Sequence, residues 1–326
     1  MRYLSLTLLL FLCSILAFAV PVAIPNASFE SKLVGRGYDT DGVVNGQMDD
    51  SDILAITFLD LNNDLISGTI DLTAFSNLTR IEIQNSSFSG LIITGLTSLE
   101  NLYIGSSNLT SINVSTNINL KKFGTGFSSL TSLDVSSNTL LEHLFVNHNP
   151  IGILDVTNNP SLIILNAKNT NLSSINLSNN PNLTSFDVSN TTIASLDLRN
   201  QNTLSSMGAI NCPNLSKLYI NASTGNISYG VQFNNCPLLT CVQVDNVAIA
   251  TNKVNTNYWI KDPGASLSLS CSYPVSALVL TPATISLPQQ SNSQISSIPS
   301  PQPGMMTWST DDNCVKVYNG TAWNCL

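Results

Sequence analysis

The sequence predicts a mainly β chain: a parallel solenoid with short strands on two faces, a small N-terminal helical cap and a C-terminal hairpin module. Three observations carry this. From Ile56 onward the pattern L-x-x-L-x-L-x-x-N recurs, where L is any apolar residue and N is Asn or another small polar group. From Ile81 to Met207 its central apolar position advances by 10 and 11 residues in alternation, a step too short to hold a helix of ordinary length and then another strand. Charged residues make up only 10% of the chain while hydrophobic ones make up 43%, so the exterior has to be built mainly of Ser, Thr and Asn.

The clearest copies are Leu130-x-x-Leu133-x-Val135-x-x-Asn138, Leu141-x-x-Leu144-x-Val146-x-x-Asn149 and Leu172-x-x-Ile175-x-Leu177-x-x-Asn180. Leu-x-Val puts two side chains on one face of a strand and the residue between them on the other. Each half-repeat is then a strand plus a turn, and two halves close one coil. Coils stacked at about 4.8 Å enclose a narrow apolar interior. Asn117, Asn138, Asn149, Asn159 and Asn180 recur where strands end. Turned inward, their amides can pair the turn backbones of their own and adjacent coils, which would otherwise bury unpaired N–H and C=O groups.

Before the solenoid come residues 1–19, with Arg2, an apolar run and Ala17-Phe18-Ala19 as a small-x-small cleavage site. These read as a signal peptide, and the expected location is secreted or cell-surface. Nothing that follows is apolar enough for long enough to be a transmembrane segment. Removal of the leader leaves six cysteines, Cys212, Cys236, Cys241, Cys271, Cys314 and Cys325, and an even number in an exported chain favours disulfides. A net charge of −8 argues against nucleic acid as partner, since that affinity rests on a basic surface.

Residues 20–55 form the N-terminal cap, with a helix start near Ile24-Pro25-Asn26 and Phe29 and Leu33 four apart on one helical face. The loop Asp39-Thr40-Asp41-Gly42-Val43-Val44-Asn45-Gly46-Gln47-Met48, continuing to Asp52, echoes a calcium loop. Asp39, Asp41, Asn45 and Asp52 are its candidate ligands, hard oxygen donors suited to Ca²⁺. It departs from the strict motif by a two-residue insertion and by closing on Asp instead of Glu, and a tight acidic turn is the rival reading. The pattern requires no cofactor; calcium is the one candidate.

The solenoid spans 56–247. Its outward positions sort into two sets. One is a nearly regular column of Asp71, Asn113, Asp134, Asp155, Asn176, Asp197 and Tyr219. The other, Asp60, Glu82, Ile92, Tyr103, Gly124, Phe145, Asn166, Asp187 and Gly208, varies in shape and includes aromatics. Regularity suits a scaffold and variation suits recognition, so Tyr103, Phe145, Asn166 and their neighbour His143 are the candidate ligand-binding residues. The Asp column implies either cations along that face or donors in neighbouring residues such as Ser136, Ser178 and Ser189, because carboxylates about 5 Å apart repel.

On these repeats the chain resembles the secreted bacterial, Bacteroidetes-type leucine-rich repeat proteins with a nested 21-residue repeat, over roughly residues 56–247. The resemblance implies a secreted or surface-displayed binding scaffold, seldom an enzyme. Departures stand at Phe75, Leu96 and Cys212, which replace the ladder Asn, and at the 13-residue step from Leu218 to Val231. Residues 248–273 are expected to be a C-terminal cap. Cys241 and Cys271 bracket a segment rich in Asn, Trp and Tyr, and are expected to bond and close a loop over the final coil, a pairing the resemblance supports. Cys212 and Cys236 fall at strand ends of neighbouring coils and read as stacked buried thiols, with an inter-coil bond as the alternative.

Residues 274–303 are rich in Ser, Pro and Gln and predict a linker. Residues 304–326 predict a small hairpin module closed by Cys314–Cys325, with a turn at Asn319-Gly320. Its Tyr318-Asn319-Gly320-Thr321-x-Trp323 resembles short C-terminal modules of bacterial surface proteins. Trp308, Tyr318 and Trp323 form either a sugar-stacking platform or the core of a domain too small to make another.

Catalysis has little raw material. His143 and His148 are the only histidines, and neither neighbours a Ser or Cys in a nucleophile motif. The reading is therefore a non-enzymatic scaffold for a protein or glycan ligand. The alternative is a calcium-dependent polysaccharide-active enzyme on a β-solenoid, which would need a basic residue beside the acidic cluster. Lys168 and Arg199 lie on different faces and pair poorly.

Overall fold

In a computed structural model of the chain, the described residues are 21–222, 230–271, 289–298, 301, 305–319 and 321–325. The expected signal peptide lies outside them. They belong to two compact units divided between Tyr273 and Pro274.

The first unit opens with a cap. Strand Pro21–Ala23 pairs antiparallel with Gln47–Asp49, and two helices follow them, α1 (Ala27–Gly35) and α2 (Asp50–Ala55). Asn26 starts α1 by accepting the Phe29 N–H at 3.0 Å, while its amide donates to Ser67 O and Thr69 O at 2.8 Å each. One side chain thus caps the helix and fastens it to the first coil. Phe29 and Leu33 are buried, with the Phe29 ring 6.1 Å from that of Phe75. The otherwise bare end of the solenoid is covered by this apolar helix face.

Ten short strands then stack in parallel into one sheet: Phe58–Asp60, Arg80–Glu82, Asn101–Tyr103, Lys122–Gly124, His143–Phe145, Ile164–Asn166, Ser185–Asp187, Ser206–Gly208, Val231–Phe233 and Trp259–Lys261. In the first eight triplets the central residue points inward and is essentially fully buried; in the last two, Val231, Phe233 and Trp259 take the buried positions. Leu133, Leu144 and Leu154 are buried, as the apolar periodicity requires.

The second face departs from the expected pair of equal sheets. Ser67–Asp71 pairs with Ser87–Ile92 at one end, and Ser195–Leu198, Lys217–Ile220, Cys241–Val244 and Ser266–Ser268 pair at the other. Between these two patches the described residues of that face form no strand. Side-chain hydrogen bonds join the coils there. Asn117 donates to Ile93 O and Leu96 O, Asn138 to Val114 O and Asn117 O, Asn159 to Val135 O and Asn138 O, and Asn180 to Val156 O and Asn159 O, all at 2.8–3.0 Å. Gln201 reaches Leu177 O at 2.7 Å. Side-chain amides thus bridge adjacent coils at the turn carbonyls of this face, each of which also accepts an N–H of its own turn. Phe75 and Leu96 cannot donate, and beyond Gln201 the amide column stops; in both places the backbones pair directly. Ile92, grouped by its sequence step with the variable set, stands on this second face opposite Asp71.

A further column was not apparent from the apolar pattern. Asn63, Asn85, Ser106, Phe127, His148, Asn169, Asn190, Asn211 and Asn235 all adopt left-handed backbone conformations, with φ between 54° and 64°. They mark the turn that follows each strand of the ten-stranded sheet. Asn is favoured there because its short amide tolerates positive φ.

Residues 248–273 continue the solenoid by one more coil instead of only lying over it. After helix α3 (Val247–Asn255), Trp259–Lys261 joins the ten-stranded sheet and Ser266–Ser268 the second-face sheet. Cys241 and Cys271 are bonded, as are Cys314 and Cys325. Replacing Cys241 and Cys271 together by Ser is expected to lower stability by roughly 2–4 kcal/mol; an unchanged urea midpoint would show that this closure constrains nothing. Cys212 and Cys236 are free buried thiols donating to Val188 O at 3.4 Å and Ala209 O at 3.1 Å, in the position Asn149 fills elsewhere.

In the second unit, Gln289–Gln290, Met306–Ser309, Cys314–Tyr318 and Trp323–Cys325 make a four-stranded sheet, with helix α4 (Asn292–Ser296) beside it. The linker composition therefore misleads over 289–298. Ser291 and Gln294 form a capping box on α4, Ile295 is buried, and Asn292 accepts from Lys316 Nζ at 2.7 Å, so this stretch is folded with the module. The rest of the linker up to 288 lies outside the described residues. No helix among the described residues is long and apolar enough to cross a membrane.

Candidate functional site

Through Ser206–Gly208, each triplet of the ten-stranded sheet sends its central side chain inward and its first and third positions outward. The registers align the third positions in a row, Asp60, Glu82, Tyr103, Gly124, Phe145, Asn166, Asp187 and Gly208, which Gln232, the middle residue of Val231–Phe233, continues. The first positions align beside them as Phe58, Arg80, Asn101, Lys122, His143, Ile164, Ser185 and Ser206. Reading one outward position per strand finds the first row and misses the second. Lys122 and Ile164 belong beside His143 and were legible by the same alternation.

The four candidate ligand residues come together on this face. His143 and Phe145 share a strand, with their rings edge to face at 6.2 Å. Asn166 is the register partner of Phe145 on the next strand. Tyr103 is two strands away on the other side and reaches across Gly124: a Cβ built on Gly124 would lie 2.8 Å from Tyr103 Cδ1. Only glycine at 124 lets the tyrosine ring lie down toward Phe145. Gly208 plays the same part further along, where a Cβ would meet Asp187 Oδ1 at 2.6 Å. Between Phe145 and Gln232 runs a shallow depression of about 280 Å³, lined by Asn166, Asp187, Ser206 and Gly208 among others.

Charge enters the patch through Glu82, Lys122 and Asp187, which flank the aromatic cluster in register. Burial and the nearby Lys122 push the His143 imidazole below its ordinary pKa, so it is neutral at pH 7. Burial pushes the Tyr103 phenol up, keeping it protonated. Arg80 pairs with Glu82 and lies 4.9 Å above the Phe58 ring at one end of the rows. The centre is a half-buried aromatic and amide surface.

The opposite outward column is committed to structure. Asp71, Asn113, Asp134, Asp155, Asn176 and Asp197 each accept the N–H two residues on, at 2.9–3.2 Å. Hydrogen bonds from Ser136 and Thr157 hold Asp134 and Asp155 below the usual carboxylate range. These turn donors stabilise the carboxylates without a bound cation. On this face Arg199 is held by Asp197 and by the Tyr219 ring. His148 stacks on Phe127 at 3.9 Å and meets Asn169 at 3.0 Å. Neither histidine hydrogen-bonds a carboxylate among the described residues.

The candidate calcium residues are brought together in part. Asp41 Oδ1 accepts the Val43 N–H and Oδ2 the Asn45 amide, Asn45 Oδ1 accepts the Gln47 N–H, and Asp52 Oδ2 accepts from Thr40 N and Oγ1. Asp39 is only 3% exposed, and neither of its oxygens has a hydrogen-bond partner. Burial, then the adjacent Asp41 charge, raise its pKa to about 6; the Asp41 N–H offsets part of this without reaching hydrogen-bond geometry. Glu30, which the sequence motif does not include, is fully buried under the loop and accepts the N–H groups of Asn45, Gly46 and Gln47.

No protein-family model matches the sequence, and no curated protein is significantly similar to it. Solved structures do resemble it. Internalin InlF of Listeria monocytogenes is 16% identical, with a TM-score of 0.48, over 78% of this chain and 87% of that one. The functional domain of InlJ from the same organism, described as including a cysteine ladder, is 20% identical with a TM-score of 0.42. That likeness covers 69% of this chain and 62% of the InlJ domain. A leucine-rich repeat protein of Leptospira interrogans is 14% identical, with a TM-score of 0.40, over 65% of this chain and 73% of that one.

Proposed function

We propose that this chain is a non-enzymatic leucine-rich repeat scaffold, secreted or displayed at the cell surface, that holds a protein or glycan against the outer face of its ten-stranded sheet. One contrast carries the reading. The outward side chains of the second face repeat because they cap turns. Those of the ten-stranded sheet change from coil to coil and gather Tyr103, His143 and Phe145 into one half-buried cluster. A broad shallow surface with aromatic anchors suits a macromolecule better than a small ligand, which needs an enclosing cavity.

An array of glycans and surface proteins probed with the full chain identifies the ligand class. Phe145→Ser is then expected to weaken the captured interaction by about thirtyfold or more, the cost of truncating an aromatic anchor. Ile153→Ser, at a position 81% exposed away from this face, is expected to leave it unchanged. Binding that is insensitive to Phe145→Ser but lost with Ile153→Ser would place recognition elsewhere.

A further inference from the structure

We propose that the Asp39 and Asp41 carboxylates, backed by Glu30, form a calcium site that stiffens the N-terminal cap. The observation behind it is the state of Asp39. A buried carboxylate with neither oxygen paired bears a desolvation cost that native interiors almost always offset with a donor or a cation. Apart from the nearby Asp41 N–H, which falls short of hydrogen-bond geometry, no donor meets either Asp39 oxygen among the described residues. Nor does the cap offer a side-chain cation. Lys32 and Arg36, the only basic residues between 21 and 55, both turn to Asp64. Six acids share that span, Glu30, Asp39, Asp41, Asp49, Asp50 and Asp52.

The surroundings favour Ca²⁺ over softer metals. The donors at hand are carboxylate and amide oxygens, with no thiol or imidazole in the cap. Glu30 is spent on three backbone N–H groups and acts as the loop's anchor, adding negative charge behind the pair. Asp52 and Asn45 are engaged with Thr40 and Gln47 through one oxygen each, which leaves Asp39 as the unspent ligand at the centre. Because α1 covers the first coil through Phe29 and Leu33, closing this loop would steady the lid on the solenoid.

The test uses the full chain stripped of metal, followed by calorimetric Ca²⁺ titration and thermal unfolding. The wild type is expected to bind saturably in about the 10⁻⁴–10⁻³ M range typical of extracellular calcium modules. At ten times the Kd the folded-to-unfolded ratio is expected to rise about elevenfold. Asp39→Asn is expected to fold at least as well as the metal-free wild type and to lose the calcium response. Asp41→Asn, at an exposed position, gives the same readout should Asn at 39 fail to fold, and is expected to weaken binding at least tenfold. A wild type with no saturable response, a response equal with Mg²⁺, or an undiminished response in both variants would overturn the site.

Discussion

Asn159→Ala is expected to lower the stability of the solenoid by about 1–3 kcal/mol, measured by urea unfolding. Two terms set the size. The Asn159 amide donates to Val135 O and Asn138 O; each carbonyl keeps its turn partner, the Asn138 and Leu141 N–H groups at 3.0 Å, so what is lost is two bridging hydrogen bonds at about 0.5–1.5 kcal/mol each. No backbone donor stands ready to replace them, since the second face has no ladder at these coils. Asn159→Leu separates hydrogen bonding from filling: it restores volume, as Leu96 does naturally, while removing both bridging hydrogen bonds between coils. A loss close to that of Ala would assign the effect to the hydrogen bonds, and a loss near zero would assign it to the void. A cost below about 1 kcal/mol for Ala would refute the amide column as the bridge between coils.

The column explains what the sequence reveals and what it hides. Leu133, Leu144 and Leu165 are legible as core because strand alternation and a constant step leave one arrangement that buries them all. Whether two neighbouring backbones bond directly or through a side chain is not written in apolar periodicity. The ladder asparagines signal that turn carbonyls have side-chain donors, but not that the middle of one face goes without a β ladder. Only the exceptions, Phe75 and Leu96, mark where strands survive.

The turn column was concealed in a similar way. Asn recurs at its positions, but Phe127 and His148 interrupt it, and positive φ is a backbone demand that aromatic residues rarely meet. At the candidate site, alternation reveals Tyr103, Phe145 and Asn166 one strand at a time. Their convergence depends on Gly124, whose lack of a side chain reads from sequence only as an empty position. Glu30 is the clearest omission. It lies between Phe29 and Leu33 on a helix face that ought to be apolar, and its burial makes sense only once the loop N–H groups close over it.

The far end of the solenoid gives the second large effect. Trp259 lies in a span that composition assigns to a covering loop, yet it takes the inward position of the last strand, opposite Val231. It is 1% exposed, its ring meets Phe233 edge-on at 6.1 Å, and the Lys253 ammonium sits 5.6 Å above it. Lys253 also donates to Ala222 O at 2.7 Å, and burial lowers its pKa. Trp259→Ala is expected to cost about 3–5 kcal/mol, because the cavity opens at the terminal coil and also strips cover from that buried ammonium. Trp259→Phe should cost less than about 1.5 kcal/mol, since it keeps most of the volume and removes an indole N–H that has no partner here. Coils in a solenoid are coupled mainly to their neighbours. Hydrogen exchange should therefore accelerate first across Val231–Phe233 and Cys241–Val244, with strands before Ile164 protected as in the wild type. Uniform acceleration along the whole chain would instead mean that the end coil nucleates the entire fold, and an Ala variant as stable as Phe would remove Trp259 from the cap altogether.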